Sequence, residues 1–404
     1  MIRIIVDSQS NRLFRGVELE QNYDQRGGLC QVGEGDIVIT TNPINPGYLD
    51  YWQGLGFSIP RLFTVGPFDP RYTLSELILR NEAVLGEISA LTRSDLARLE
   101  FFCIGDAERR LALETGIQPY CNFEVSIPLS HKLAFKELCR DIGLPTAPWV
   151  VCKGVSDLSG EVMTFLGQGL EVLVKVDDGT GGVSCGGMVK VGDSADLTAA
   201  VPVVRGFGER FLVEELIHKV AEVSIHWEID NRGNIRIIDL FNQLSRNFSY
   251  AGTSSPADLS CQIRDLIVSQ LTETLGPFLV QNEALGFFCC DIIIDSSGGI
   301  HWVDFNPRKG AIIYIHDMAQ RLSGIHFGGT SKYFWHEHCR FSEGGSFEYV
   351  RSKLSGLLTP SESNPFVVVT NPGVIQFGYL DITGISHKSK EEARDALGRA
   401  RDMI

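Results

Sequence analysis

The sequence predicts a mixed chain of several packed units, α/β at its N-terminus and α+β beyond. Three observations carry this reading. The first ~125 residues alternate short apolar runs with helix-like text, the pattern of layered α/β structure. The middle of the chain holds two apolar hairpins, the first with strict period-two alternation. With 404 residues, 44% of them hydrophobic and 21% charged, the chain is long enough for two or three units and too apolar for disorder.

In the first part, strands are expected at 2–6, 36–40 and 101–104. Asp106 is expected to cap a helix that Gly116 ends. No GxGxxG follows any of these strands, so no dinucleotide site is read there. Asp7-Ser8-Gln9-Ser10-Asn11 reads as an ordinary turn or as ligand donors at a strand tip. A boundary falls at 119–130, between Pro119 and Pro128, after which Ser130 caps a helix over 131–142 stopped by Gly143 and Pro145. Strands at 149–152 and 171–176 flank a helix at 158–166. The glycine-rich segment 177–187 then leads to a strand at 188–191, and the apolar run 211–213 leads into Glu214-Glu215.

The first hairpin pairs 221–229 with 235–240, alternating Glu222, Ser224, His226 and Glu228 with Val223, Ile225, Trp227 and Ile229. A helix over 256–275 precedes the second hairpin, 287–294 with 300–305. One strand at 366–370 and a charged helix from Lys390 complete the chain.

Lys and Arg number 36 against 50 Asp and Glu, a formal charge of −14, which argues against a nucleic-acid partner. An anionic ligand must then be held by a few placed cations and backbone amides. No run approaches ~18 apolar residues, so no membrane span is expected. The start is too short and too soon acidic for a signal peptide. The ten scattered cysteines include no CxxC pair and read as reduced thiols of a cytoplasmic protein. His336-Glu337-His338-Cys339 spaces its histidines two apart and lacks a partner pair for zinc. It reads as a polar surface or substrate-pocket segment.

The second hairpin is the most informative piece. Its loop, 296–299, places Asp295 opposite Ile300 and, continuing the register, Asp291 opposite Asp304. Alternation puts Asp304 and Asn306 on one face. Two carboxylates and an amide oxygen make a hard donor set suited to Mg²⁺. The bland alternative is a solvated polar face, but Phe-Phe-Cys-Cys-Asp291 and Trp-Val-Asp304-Phe are apolar settings in which an unpaired carboxylate is costly. Arg308 and Lys309 follow as cations. Gly179, Gly181, Gly182, Gly186 and Gly187 let backbone N–H groups approach phosphate oxygens, with Lys175 on the strand before them.

Lys132 at a helix head, Gly-Leu-Pro-Thr-Ala-Pro at 143–148, Leu-Val-Lys175-Val before the glycine-rich loop, and Phe-Leu-Val-Glu-Glu-Leu-Ile at 211–217 occur in succession. Glu222, Asp291 and Val-Asp304-Phe-Asn306-Pro-Arg308 complete the series. In this order the chain resembles the ATP-grasp superfamily of carboxylate–amine ligases over roughly residues 128–310. Its first domain and last ~60 residues resemble the pre-ATP-grasp amino-acid and peptide ligases of natural-product pathways, the pheganomycin peptide ligase among them.

The resemblance implies a Rossmann-like pre-ATP-grasp domain over 1–127 and an ATP-grasp fold of two subdomains, 128–210 with the lid and 211–340 with the metal site. A C-terminal extension covers 341–404, and ATP lies between the two subdomains. It further implies that Lys132 and Lys175 contact phosphates or adenine, and that Gly181, Gly182 and Ser184 belong to the phosphate lid. Glu214, Glu215 and Ile217 match the hinge whose backbone reads adenine, and Glu222 the acid on the ribose hydroxyls. Asp291, Asp304 and Asn306 match the ligands of two Mg²⁺ ions, replaceable by Mn²⁺. Arg308 matches the arginine beside the acyl phosphate, and Arg246 lies where relatives handle substrate or γ-phosphate. The family more often has Glu at Asp291 and Asp304.

The expected activity is ATP-dependent joining of a carboxylate to an amine, amino acid or peptide, through an acyl phosphate. The competing readings are a carboxylase or nucleotide-pathway ligase of the same fold, and a nucleotide-binding regulator without turnover. Partners are small-molecule substrates, with no nucleic acid or membrane and with a homodimer left open.

Overall fold

The structure is a computed structural model and describes residues 1–7, 24–67, 69, 71–91, 97–177, 187–205, 210–329, 333–341, 345–360 and 364–404. The chain forms two compact units. One comprises Met1–Phe123, Ala251–Ala257 and Arg308–Ile404; the other comprises Glu124–Tyr250 and Asp258–Pro307.

The first unit opens with β1 (Ile2–Val6), β2 (Ile37–Thr40), β3 (Arg61–Thr64), β4 (Ala97–Phe101) and β5 (Gln118–Pro119). They form a parallel sheet of order β3-β2-β1-β4-β5. Ile4, Val6, Ile37, Ile39, Leu99 and Phe101 fill its core against helices such as Leu74–Arg80. The strand expected at 101–104 instead ends at Phe101. Its charged letters disguise it: Glu100 is buried, and its carboxylate accepts from Lys309 Nζ at 2.6 Å and from Arg98 Nη2 at 2.6 Å. The next helix, Asp106–Thr115, begins at Asp106 with Gly105 in the cap position, and ends at Gly116 with φ of 68°.

The second unit carries two antiparallel sheets. The first, from β6 (Trp149–Lys153), β7 (Val172–Val176), β8 (Met188–Val191) and β9 (Arg210–Glu215), has the order β6-β9-β7-β8. Val174 and Val213 pack on Val162, Phe165 and Leu197 of the helices Gly154–Gly167 and Ser194–Arg205. The other sheet strings β10 (Lys219–Ile229), β11 (Ile235–Arg246), β13 (Gly286–Asp295) and β14 (Ile300–Asn306) in the order β14-β13-β10-β11. Both faces of β10 are covered, for Ser224 and His226 are as buried as Ile225 and Trp227.

Two helix starts differ from expectation. Ser130 does not cap the helix Lys132–Ile142; its hydroxyl donates back to Ile127 O. The Asp177 carboxylate, distant in sequence, accepts from Leu133 N at 3.0 Å instead. The helix expected at 256–275 starts at Cys261, where Ser260 caps it, and continues through a wide turn at Leu271–Leu275 to Gln281. That turn absorbs Pro277, whose missing N–H would otherwise end the helix.

The first unit closes with residues of β12 (Ser249–Ser255), β15 (Tyr333–Arg340), β16 (Phe366–Asn371) and β17 (Tyr379–Ser386) in the order β12-β15-β17-β16. His336-Glu337-His338-Cys339 is therefore an inner strand rather than a polar surface. His336 Nδ1 pairs with Thr383 Oγ1 at 2.9 Å, His338 Nδ1 with Asp381 Oδ1 at 2.5 Å, and Arg401 Nη1 donates to Glu337 Oε2 at 2.9 Å. Partners distant in sequence satisfy these polar groups, so the segment does not alternate like a strand in the sequence.

Among the described residues no helix is long and apolar enough to cross a membrane, and none of the cysteines is in a disulfide. A Cβ at Gly384 on β17 would collide with the backbone carbonyl of Ala393 in the terminal helix Lys390–Met403. Gly384→Ala is expected to cost about 2 kcal/mol of stability, read as a lowered thermal midpoint by circular dichroism.

Candidate active site

In the second unit the β13–β14 ladder pairs Asp291 with Asp304, yet the turn closes differently from expectation. Ile294, not Asp295, lies opposite Ile300, because Asp295 N donates to Gly299 O. A bulge after Asp291 takes up the extra residue and restores the pairing at Asp304. Directly opposed residues share a face, so both carboxylates emerge on one side, with Asn306 two residues further along it. The other side is apolar: Phe305 stacks on Phe135, Trp227 and Phe288 at ring distances of 5.2, 5.9 and 6.0 Å.

The Phe135–Phe305 contact packs the helix Lys132–Ile142 against β14 and presents two lysines one turn apart. Lys132 Nζ donates to Asp304 Oδ2 at 2.5 Å. Lys136, which the sequence reading missed, donates to Glu214 Oε1 and to Trp302 O. Its position four residues after Lys132 is the signal that could have found it. On the other sheet Leu173 pairs with Glu214, so Lys175, two residues on, is Glu214's diagonal neighbour on the same face. The Lys175 ammonium reaches Glu214 Oε2.

These charges set one another's protonation. Burial pushes the Glu214 carboxyl up, but Lys175 and Lys136 outweigh it and hold the group down at about 2. Burial pushes the Lys175 ammonium down, while Glu214, Asp304 and Asp291 pull it above the usual lysine range. Asp304 is likewise held low by Lys132 and Lys175 against burial. Asp291 differs. Burial first, then Asp304 and Glu222, push it up to about 7, even though Gln243 Nε2 donates to it at 2.5 Å.

Among the described residues no three His, Cys, Asp or Glu side chains are gathered closely enough to hold a metal ion. The expected set counts two carboxylates and an amide, all oxygen donors. The fit lies in Asp291: two half-buried acids face each other across a ladder, and burial, Asp304 and Glu222 push its carboxyl up to about 7. A divalent cation would supply countercharge there, and Mg²⁺ prefers such a donor set.

The remaining expected residues are dispersed over both units. Glu222 on β10 accepts from Lys219 and from Ser245 Oγ. The N–H groups of Glu215 and Leu216 already donate to Pro148 O and Glu171 O, and Ile217 follows in the connection to β10. Arg246 ends β11, exposed, before left-handed backbone at Asn247 and Phe248. Arg308 belongs to the first unit, where its guanidinium lies 4.4 Å from the centre of the Phe102 ring. Gly181, Gly182 and Ser184 lie outside the described residues.

A parallel-sheet domain together with antiparallel sheets gives the class of the fold: pre-ATP-grasp plus ATP-grasp architecture. A family model described as the Pre ATP-grasp domain matches residues 28–117. N5-carboxyaminoimidazole ribonucleotide synthetase, solved as an ADP complex, aligns with a TM-score of 0.63 at 13% identity over 99% of this chain and 96% of that chain. The synthetase from Thermus thermophilus aligns at 0.61 and 14% identity over 100% and 98%. The enzyme from Aspergillus clavatus, in complex with ADP and 5-aminoimidazole ribonucleotide, aligns at 0.58 and 12% over 100% and 98%. At such identities the likeness is one of fold. No curated protein matches the sequence.

A carboxyl raised in the folded state binds its proton more tightly there than in the unfolded chain. Its contribution therefore makes stability fall as pH rises from about 4 to about 7. Asp24 and Glu108, both raised to about 7 by burial, act in the same window. Chemical denaturation in EDTA is expected to show this loss in the wild type and a smaller one in Asp291→Asn.

Proposed function

We propose that the protein is an ATP-dependent ligase that joins the carboxylate of an amino acid to an amine, itself an amino acid or peptide. The observation that supports this most is the array of buried Lys132 and Lys175 with half-buried Asp291 and Asp304, set on the two sheets and the helix Lys132–Ile142. Cations and hard oxygen donors arranged this way suit a triphosphate.

ATP would lie between the two ATP-grasp sheets. The Glu215 carbonyl and the Ile217 amide are the hinge groups assigned to adenine, since the neighbouring N–H groups are engaged. Glu222 is assigned to the ribose hydroxyls, and Gly181, Gly182 and Ser184 to the phosphate lid. Asp291, Asp304 and Asn306 would hold Mg²⁺, which when bound neutralises phosphate charge and aligns the β- and γ-oxygens. A carboxylate oxygen of the substrate attacks the γ-phosphorus, the bond to the bridging oxygen breaks, and ADP leaves. Lys175 offsets the charge developing on the transferred group, with Arg308 and Arg246 as the further cations of this reading. The substrate amine then adds to the acyl carbon and expels phosphate. Catalysis rests on alignment and charge neutralisation, as no activated side chain acts as nucleophile. In this reading the activity is of the pheganomycin peptide ligase type, and a cytoplasmic location is its setting.

A second reading has support of its own. Solved carboxyaminoimidazole synthetases share the architecture across the full chain, which favours a nucleotide-precursor amine as substrate.

Mass spectrometry of products, with ADP release measured in parallel, separates the two on incubation with ATP, Mg²⁺ and an amino-acid pool or 5-aminoimidazole ribonucleotide with bicarbonate. A dipeptide-type product is expected. Asp304→Ala is expected to lower turnover at least ~100-fold while keeping the wild-type circular dichroism spectrum. Near-normal ligation by that variant would count against the site.

A further inference from the structure

Resting on the nucleotide-binding reading above, we propose that Lys136 is a positioning residue that keeps the charge of Lys175 available for a nucleotide phosphate. Lys136, Lys175 and Glu214 are almost wholly buried, with side chains 1%, 5% and 3% exposed. Glu214 receives one ammonium on each carboxylate oxygen, so the trio carries a net single positive charge.

Without Lys136 the same carboxylate would face Lys175 alone, and the pair would be neutral. A neutral buried pair attracts a phosphate far less than a cation does, because the low dielectric that strengthens the attraction strengthens the quenching equally. The neighbouring acid repeats the arrangement. Asp304 also pulls on Lys175, and it too has a second lysine, Lys132, at 2.5 Å. One helix thus presents Lys132 and Lys136, one turn apart, to Glu214 and Asp304, the two acids that lead the three acting on Lys175. The aromatic stack of Phe135 on Phe305 holds that helix in place.

A merely structural role is the competing account: Lys136 as a buried tie between the helix, Glu214 and the Trp302 carbonyl. The two accounts differ when the acid is removed as well. Calorimetric titration of the full chain with ADP and with a non-hydrolysable ATP analogue, in MgCl₂, separates them without any turnover. Lys136→Met is expected to weaken both at least ~10-fold, and Lys136→Arg to stay within about threefold of wild type. The double variant Lys136→Met with Glu214→Gln restores the single positive charge and is expected to recover binding to within about threefold, although it has lost the whole tie.

Binding by Lys136→Met within twofold of wild type would overturn the proposal, and so would a double variant no better than the single one. If Lys136→Met fails to fold, the double variant decides alone: retained binding supports charge counting, and lost binding overturns it. A wild-type chain that binds neither nucleotide overturns the functional reading and this inference with it. Wild-type binding that Lys136→Met leaves unchanged overturns this inference only.

Discussion

The carboxylates of Glu214, buried, and Asp304, half-buried, and their lysines are the constraint around which the elements of the second unit are arranged. Removing a charge from water costs several kcal/mol, and that cost is met only where an opposite charge and hydrogen bonds wait at close range. Glu214 meets it with Lys136 and Lys175, and Asp304 with Lys132. The partners come from a helix, from β7, from β9 and from β14, so each pair fixes the position of one element against another. The apolar side of the same ladder, where Phe305 lies among Phe135, Trp227 and Phe288, makes that placement rigid. Asp291, by contrast, is pushed up by burial, by Asp304 and by Glu222.

This local pattern would reconcile an acidic chain with the anionic ligand proposed for it. A formal charge of −14 repels phosphate at long range, and only closely placed cations in a dry setting reverse the sign locally. The first unit uses the same device without the same geometry. Lys309 Nζ bridges buried Glu100 and Gln31 at 2.6 and 2.7 Å, and the buried Asp381 is held low by His338 in spite of its burial. There the Glu100–Lys309 pair joins a strand to chain more than two hundred residues away, and Arg98 is a second cation on the same carboxylate.

Much of the fold was legible because it follows short-range rules. β1 and β8 fall where apolar runs predict them, and Gly116 and Gly143 end their helices in the left-handed conformation that a residue without Cβ adopts freely. The opposition of Asp291 and Asp304 was also readable, though through two compensating departures, a turn closed one residue earlier and a bulge that restored the register. What stayed hidden were strands carrying polar letters. Glu100 in β4 and His336 to His338 in β15 interrupt the alternation, since their partners lie far along the chain and no local pattern announces them.

By itself the sequence determined the layered α/β pattern of the first part, the hairpin that opposes two acids, and the lysine near the end of β7 ahead of a glycine-rich segment. All are consequences of periodicity, turn length and composition. Only the tertiary structure decided which cation meets which acid: Lys136 with Glu214, Lys132 with Asp304, and Asp177 at the head of the helix that carries both lysines. The reason is physical. Charge pairing acts through space over a few ångströms, and those few ångströms are created when sheets and helices pack residues that the chain keeps 44 to 172 positions apart.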